Sequence, residues 1–417
     1  MKRRMMFTYF ALCAAATAFA DFKRPPEPTD VPELLRTSSG RSVTTREQWE
    51  KVRRPELLKL LQESEYGVRP VERPADLAFE EVRPEEEVFG GQAVKKLVRG
   101  TYSGPGGRAS FTFAAWIPKS AKRVPAFIHV SPRPADTAAD RDGPRPVYYL
   151  PADYITERGY AAIASCDYDF AQDWNQIPDA PTSGVFRAYG PKSLKGRGPA
   201  EWGILSAWAW GASRILDWVE TEGRIDARHV AVVGLSRNGK TALCAGVLDE
   251  RFAMAVSCCS GCGGAKLNHL DCDGAETIRQ IVTPAWAWFC PAFARYVDKE
   301  RSMPFDQHEW LALMAPRLLY VSSATEDAWA GPRGEFASAR LASPAWALYG
   351  QAGLVEHGFP KPDHPLHAGS VGYHLRSGLH DITRSDWENY LDFADGHGWR
   401  AAAALCGDDV SLKKENP

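Results

Sequence analysis

Five short apolar runs punctuate the chain, at residues 125–130, 160–165, 230–233, 253–257 and 318–322. Each is short and bounded by polar or turn residues, and each reads as a buried strand. Longer stretches of helical character lie between them. The longest covers residues 201–220 and carries Trp202, Trp208, Trp210 and Trp218. A small-residue stretch, 241–246, predicts another helix soon after the 230–233 strand. Repeated strand–helix alternation predicts an α/β domain, a mostly parallel sheet covered on both faces.

Upstream the pattern changes. Residues 94–102 and 110–117 partly alternate and flank Gly104-Pro105-Gly106-Gly107, which predicts a hairpin. Thr44-Thr45-Arg46-Glu47-Gln48 opens a helix whose apolar face is Leu57, Leu58, Leu60 and Leu61. Residues 21–31 are rich in proline and charge and read as an extended leader. The chain shows no internal repeat and no low-complexity linker.

The first 20 residues have a different logic. Lys2-Arg3-Arg4 is a basic start, residues 5–17 are apolar, and Ala18-Phe19-Ala20 is an A-x-A cleavage site. This is the pattern of a secretory signal peptide cleaved after Ala20. The expected destination is the periplasm or the exterior, and the apolar run is too short to span a bilayer. Cleavage removes three cations and moves the formal net charge from −2 to −5. A mildly acidic mature chain offers no basic footprint for nucleic acid or anionic membranes. Of nine cysteines, eight remain after cleavage. Cys259-x-x-Cys262 has no second pair to make a metal site, so buried thiols or one or two bridges are expected.

The chemistry concentrates at Gly234-Leu235-Ser236-Arg237-Asn238-Gly239-Lys240. A strand leads in and a helix leads out, the setting in which the G-x-S-x-G type of turn makes a nucleophile elbow. The alternative is an ordinary strand-to-helix turn. A serine nucleophile needs a base and the base needs an orienting acid. In an α/β-hydrolase the chain order is Ser, acid, His. His380, in Ser377-Gly378-Leu379-His380-Asp381, stands where the base belongs. The acid should follow the 318–322 strand, where Glu326 and Asp327 are both candidates. His364, His367 and His374 lack helical metal-ligand spacing, so neither a metal nor an organic cofactor is expected.

Several motifs in order resemble the glucuronoyl esterases of carbohydrate esterase family 15. They are Ser236-Arg237 with Lys240, Ser260-Gly261-Cys262-Gly263-Gly264, Gly274-Ala275-Glu276-Thr277, Trp286-Ala287-Trp288-Phe289, Met314-Ala315-Pro316-Arg317, Glu326-Asp327-Ala328-Trp329-Ala330 and Gly378-Leu379-His380-Asp381. The similarity runs from residue 201 to 393, and more loosely back to 44. It implies an α/β-hydrolase fold, a three-layer αβα sandwich, and cleavage of esters joining (4-O-methyl-)glucuronic acid on xylan to lignin alcohols. Ser236 would be the nucleophile, His380 the base, and Arg237 an oxyanion stabiliser by backbone N–H and guanidinium. Lys240, Glu276 and Trp329 would bind the sugar, and Trp288 is either part of that site or core. Two departures stand out. Cys259 occupies the position of the family's usual catalytic Glu, and Leu235 replaces the usual Cys. A thiol is a poor acceptor for an imidazolium, so the acid is expected on the later loop, Asp327 before Glu326.

The expected division is a signal peptide (1–20), an N-terminal extension packed on the catalytic domain (21–90), an α/β-hydrolase catalytic domain (91–405) and a C-terminal tail (406–417). The expected partners are glucuronoxylan and lignin–carbohydrate esters, met by a monomer. The rivals are an acetyl or feruloyl xylan esterase and a non-catalytic carbohydrate-binding protein on the same scaffold.

Overall fold

The computed structural model describes residues 30–120, 122–139, 149–173, 183–191, 194–272 and 274–400. The expected signal peptide and C-terminal tail lie outside them. Ten strands form one sheet: β1 (Ala78–Glu81), β2 (Glu86–Val88), β3 (Ala93–Gly104), β4 (Gly107–Pro118), β5 (Val124–Ser131), β6 (Ala161–Cys166), β7 (Ile225–Leu235), β8 (Met254–Cys258), β9 (Leu318–Ala324) and β10 (Val371–Arg376). Their spatial order is β1-β3-β4-β6-β5-β7-β8-β9-β10, with β2 also paired to β3. The six strands from β6 to β10 run parallel, while β4 is antiparallel to both β3 and β6.

Alternation along the strands builds two cores. Ile128, Val130, Val230 and Val232 join one apolar cluster, and Phe127, Ala231 and Val233 join the other. The first cluster is shared with helices α2 (Ile204–Val219) and α3 (Arg237–Leu248), the second with α6 (Arg384–Gly396). Three further helices matter below: α1 (Arg54–Leu61), α4 (Gln307–Ala312) and α5 (Pro332–Ala342). Every residue of α2 is buried, so its tryptophans are core. Helices on both faces of the sheet make the expected αβα sandwich.

The chain leaves β5 for β6 on one side, then crosses back to β7 on the other. That reversal opens a crevice at the carboxyl ends of the strands, the place where ligands bind in such sheets. β7, the strand that leads into Ser236, is at this switch point.

Several boundaries differ from the sequence reading. The hairpin forms around the pair Gly104↔Gly107, leaving Pro105-Gly106 as the turn. β7 begins at Ile225 rather than 230, because Asp226 is satisfied within the strand by Arg228 and His229. α2 begins at Ile204. A Cβ on Gly203 would sit 2.1 Å from the Trp288 carbonyl oxygen, so Gly203 marks the helix entrance. β1 and β2 fall before residue 91, so part of the stretch read as an extension is sheet. The helical run that Thr45 and Gln48 cap reciprocally ends beyond α1 at Tyr66, under the site. All seven described cysteines are thiols, six of them buried. Among the described residues no helix is long and apolar enough to cross a membrane.

Candidate active site

Ser236 adopts φ 61° and ψ −126°, a conformation that costs energy for any residue with a Cβ. Its neighbours leave little choice. A Cβ on Gly234 would lie 2.1 Å from the Asn238 carbonyl oxygen, and one on Gly239 2.9 Å from that of Cys258. The turn therefore needs both glycines, but not at the G-x-S-x-G spacing. Asn238 stands where that pattern places its second glycine, and Gly239 follows. Asn238 is buried, and its amide donates to Asp167 Oδ2 at 3.0 Å, tying the elbow to the end of β6. Burial pushes the Asp167 carboxyl up to about 7.

α3 starts at Arg237, directly after the serine. The first amides of a helix have no partner inside it and favour negative charge. They make the space beside Ser236 favourable for a negative charge. The Arg237 guanidinium is fixed beside them, 3.4 Å from the Tyr168 hydroxyl, 3.6 Å from Asp173 Oδ2 and over the ring of Trp288. Trp288 is half-buried and donates its indole N–H to Asp173 Oδ1 at 3.0 Å. It stands at the site rather than deep in the core. Tyr168 and Asp173 belong to the segment after β6, and no sequence motif marks them.

His380 Nδ1 lies 2.5 Å from Asp327 Oδ2. Asp327 is buried and also accepts the Ala330 amide at 3.3 Å. Glu326 is exposed and reaches the His380 loop only through its backbone, its N–H donating to the Gly378 carbonyl. The loop after β9 thus brings Asp327, not Glu326, to the imidazole. Cys259 has φ 44°, and its sulfur, one Asp327 oxygen and a His380 nitrogen lie within 4.8 Å of one another. Among the described residues these three are where metal-ligating atom types converge. The hydrogen bond that the Cys259 S–H shares with Cys258, together with burial and nearby carboxylates, holds the thiol well above its usual pKa, so it stays protonated.

Lys240 lies in the first turn of α3, its amide donating to the Ser236 carbonyl at 3.1 Å. It is not a surface lysine: only 3% of it is exposed. Its ammonium donates to the Ser260 carbonyl and stands 3.8 Å from Glu276 Oε2. Glu276 Oε1 accepts the Trp329 indole N–H at 3.0 Å, and Trp329 is half exposed. Burial raises the Glu276 carboxyl, opposed by Lys240 and the indole bond. Lys240, Glu276 and Trp329 thus form one bonded set beside the elbow. His367 and His374 are elsewhere. Both bond the Tyr320 hydroxyl, at 2.7 and 3.0 Å, and His374 Nε2 meets Asp386 at 2.8 Å.

No sequence motif marks the carboxyls behind the site. Glu335 on α5 takes the amides of Ser260 and Gly261 and the hydroxyls of Ser260 and Ser323. Glu65 takes Gln307 and the Trp310 indole from α4. Burial raises Glu65 to about 8, and Glu335 and Glu309 to about 7. A carboxyl raised on folding binds its proton more tightly in the native state, so its ionisation costs stability as pH rises towards the folded value. Burial depresses His308 and His367 to about 4 and His129 to about 3, which works the other way but only up to about pH 6.5. The melting temperature should therefore fall between about pH 6.5 and 8, and Glu65→Gln should shrink the fall. A melting temperature that rises across this window would contradict the assignment.

A serine strained at the end of the switch-point strand, with an Asp–His couple carried by later loops at the same sheet edge, defines an α/β-hydrolase of the serine type. A family model described as glucuronyl esterase, fungi, matches residues 152–350. A carbohydrate esterase of an unknown prokaryotic organism is 34% identical over 399 residues, covering 88% of this chain and 89% of that protein. The 4-O-methyl-glucuronoyl methylesterase 1 of Wolfiporia cocos is 27% identical over 79% of this chain and 74% of its own. The solved glucuronoyl esterase of Solibacter usitatus superposes with a TM-score of 0.78 at 34% identity, covering 88% of this chain and 97% of that one. The chain belongs to the glucuronoyl esterases of carbohydrate esterase family 15.

Proposed function

We propose that this chain hydrolyses esters of (4-O-methyl-)glucuronic acid, carried on glucuronoxylan, with the alcohols of lignin. It acts through an acyl-enzyme on Ser236. The observation that carries the reading is the Lys240–Glu276–Trp329 set beside the elbow. The carboxyl of an esterified uronate is neutral, so the sugar must be recognised by its hydroxyls. A buried ammonium and carboxylate side by side supply a donor and an acceptor, and the exposed indole supplies a wall for the ring.

Ser236 Oγ attacks the ester carbonyl while His380 takes its proton, with Asp327 holding the imidazole by Nδ1 and stabilising its cation. The α3 amides and Arg237 meet the oxyanion. Collapse expels the alcohol, which receives its proton from His380. Water activated by the same histidine then attacks the glucuronoyl-serine ester, the bond to Ser236 Oγ breaks as His380 returns the proton to it, and the uronic acid leaves. An acetyl group would have no use for the buried Lys240–Glu276 pair, which disfavours an acetyl esterase. We further propose that the mature protein starts at Asp21, is exported and works as a monomer.

Arg237→Ala should lower kcat and kcat/KM together, by about a hundredfold, because it removes charge stabilisation that matters only in the transition state. Lys240→Ala should act mainly on KM for glucuronate esters and spare simple aryl acetates. If both variants lose activity on aryl acetates as much as on glucuronate esters, the sugar-site reading fails.

A further inference from the structure

We propose that Arg376 is the positioning residue of His380, holding the loop that carries the base at the end of β10. The inference rests on His380 being the general base. The segment Leu379-His380-Asp381 is exposed between β10 and α6, Leu379 at 66% and the His380 side chain at 41%. Such a segment would wander unless tied. Asp327 fixes the imidazole, and the backbone needs an anchor of its own.

One nitrogen supplies the main anchor, beside a weaker bond from the Cys258 thiol to the Asp381 carbonyl at 3.8 Å. Arg376 Nη2 donates to the Leu379 carbonyl at 2.7 Å and to the Asp381 carbonyl at 3.0 Å, the residues on either side of His380. Nη1 donates to the Ser377 carbonyl at 2.9 Å. The guanidinium is buried, and Asp386 Oδ2 stands 2.9 Å from its Nε. Asp386 is itself held. Its carboxylate takes the Thr383 amide and hydroxyl at the start of α6 and pairs with His374. A planar fork with a charged anchor behind it can hold three carbonyls at once, whereas a lysine ammonium is a single point with no such plane. The rest of the loop is tied further out. Ser377 bonds Asp363, Gly378 bonds Thr325, and the Glu326 amide bonds Gly378. Only Arg376 spans the histidine itself among the described contacts. Misplacing a catalytic group by about 1 Å costs on the order of a hundredfold in rate.

The test is steady-state kinetics on benzyl glucuronate with Arg376→Ala, Arg376→Lys and the double variant Arg376→Ala/Asp386→Asn, with His380→Ala as the control. Arg376→Ala should lower kcat about a hundredfold with KM little changed, and millimolar guanidinium should restore part of it while urea does not. Arg376→Lys should fall between. The double variant also removes the charge of Asp386, which the single one leaves paired with His374 and Thr383 only, and its kcat should stay low whatever its melting temperature. Recovery of kcat together with stability would overturn the proposal, because the role would then be structural only. So would a kcat within threefold of wild type in Arg376→Ala, a loss carried by KM, or a loss that neither guanidinium nor lysine reduces. An active His380→Ala would instead sink the base assignment on which the proposal stands.

Discussion

Ser236→Ala is expected to lower turnover of a glucuronate ester by at least ten-thousandfold, leaving the fold intact. Residue 236 holds φ 61° because Gly234 and Gly239 let β7 and α3 approach too closely for any relaxed turn. Alanine has the same Cβ and suffers the same strain, so stability should barely move. The hydroxyl is all that goes, and with it the bond that joins substrate to enzyme. Remaining activity would come from the oxyanion donors and the sugar pocket alone. Kinetics and thermal melting on the purified variant check both halves. Activity of about a tenth of wild type would falsify the nucleophile assignment.

Asp327→Asn should follow closely, with a loss on the order of ten-thousandfold, while Glu326→Gln stays near wild type. Asp327 Oδ2 stands 2.5 Å from His380 Nδ1, so Nδ1–H donates to a carboxylate and Nε2 is left to take the serine proton. An asparagine can present N–H instead and favour the wrong tautomer. The geometry adds a second arm. Cys259 sulfur is within 4.8 Å of the same couple, at the position where the resemblance places the usual glutamate. Cys259→Glu in the Asp327→Asn background should recover part of the lost rate. If Asp327→Asn is near wild type and Glu326→Gln is dead, the acid is one residue earlier. If both singles and the double remain active, the acid lies elsewhere.

The elbow was legible because a buried parallel strand writes itself as an unbroken apolar run and the turn after it must be glycine-bounded. What the pattern blurred was spacing: Asn238 intervenes, and its bond to Asp167 became visible only when β6 and β7 stood near each other. β1 and β2 escaped because their residues are largely exposed, so neither has an apolar side to alternate with a polar one. Chain order was enough to nominate residues 326 and 327. Which of them reaches His380 depends on side-chain direction in the loop after β9, and two adjacent acids look alike in a sequence. Lys240 was nominated by the resemblance alone, and its burial against the Ser260 carbonyl became visible only with the loop after β8 in place. Glu65, Glu335, Tyr168, Asp173 and Arg376 were out of reach for a common reason. Each acts on a partner brought from a distant or unmarked segment, with no spacing rule to connect the two. The cysteines were ambiguous because burial and bridging leave the same trace in composition.

The ester this protein is built to cut is a glucuronoyl ester. The most direct test is a side-by-side measurement of kcat/KM for the purified protein on benzyl glucuronate, an acetylated xylo-oligosaccharide and a feruloylated one. Benzyl glucuronate should be preferred by at least a hundredfold, and Lys240→Ala should erase most of that preference. Equal or faster turnover of the acetyl or feruloyl ester would contradict it.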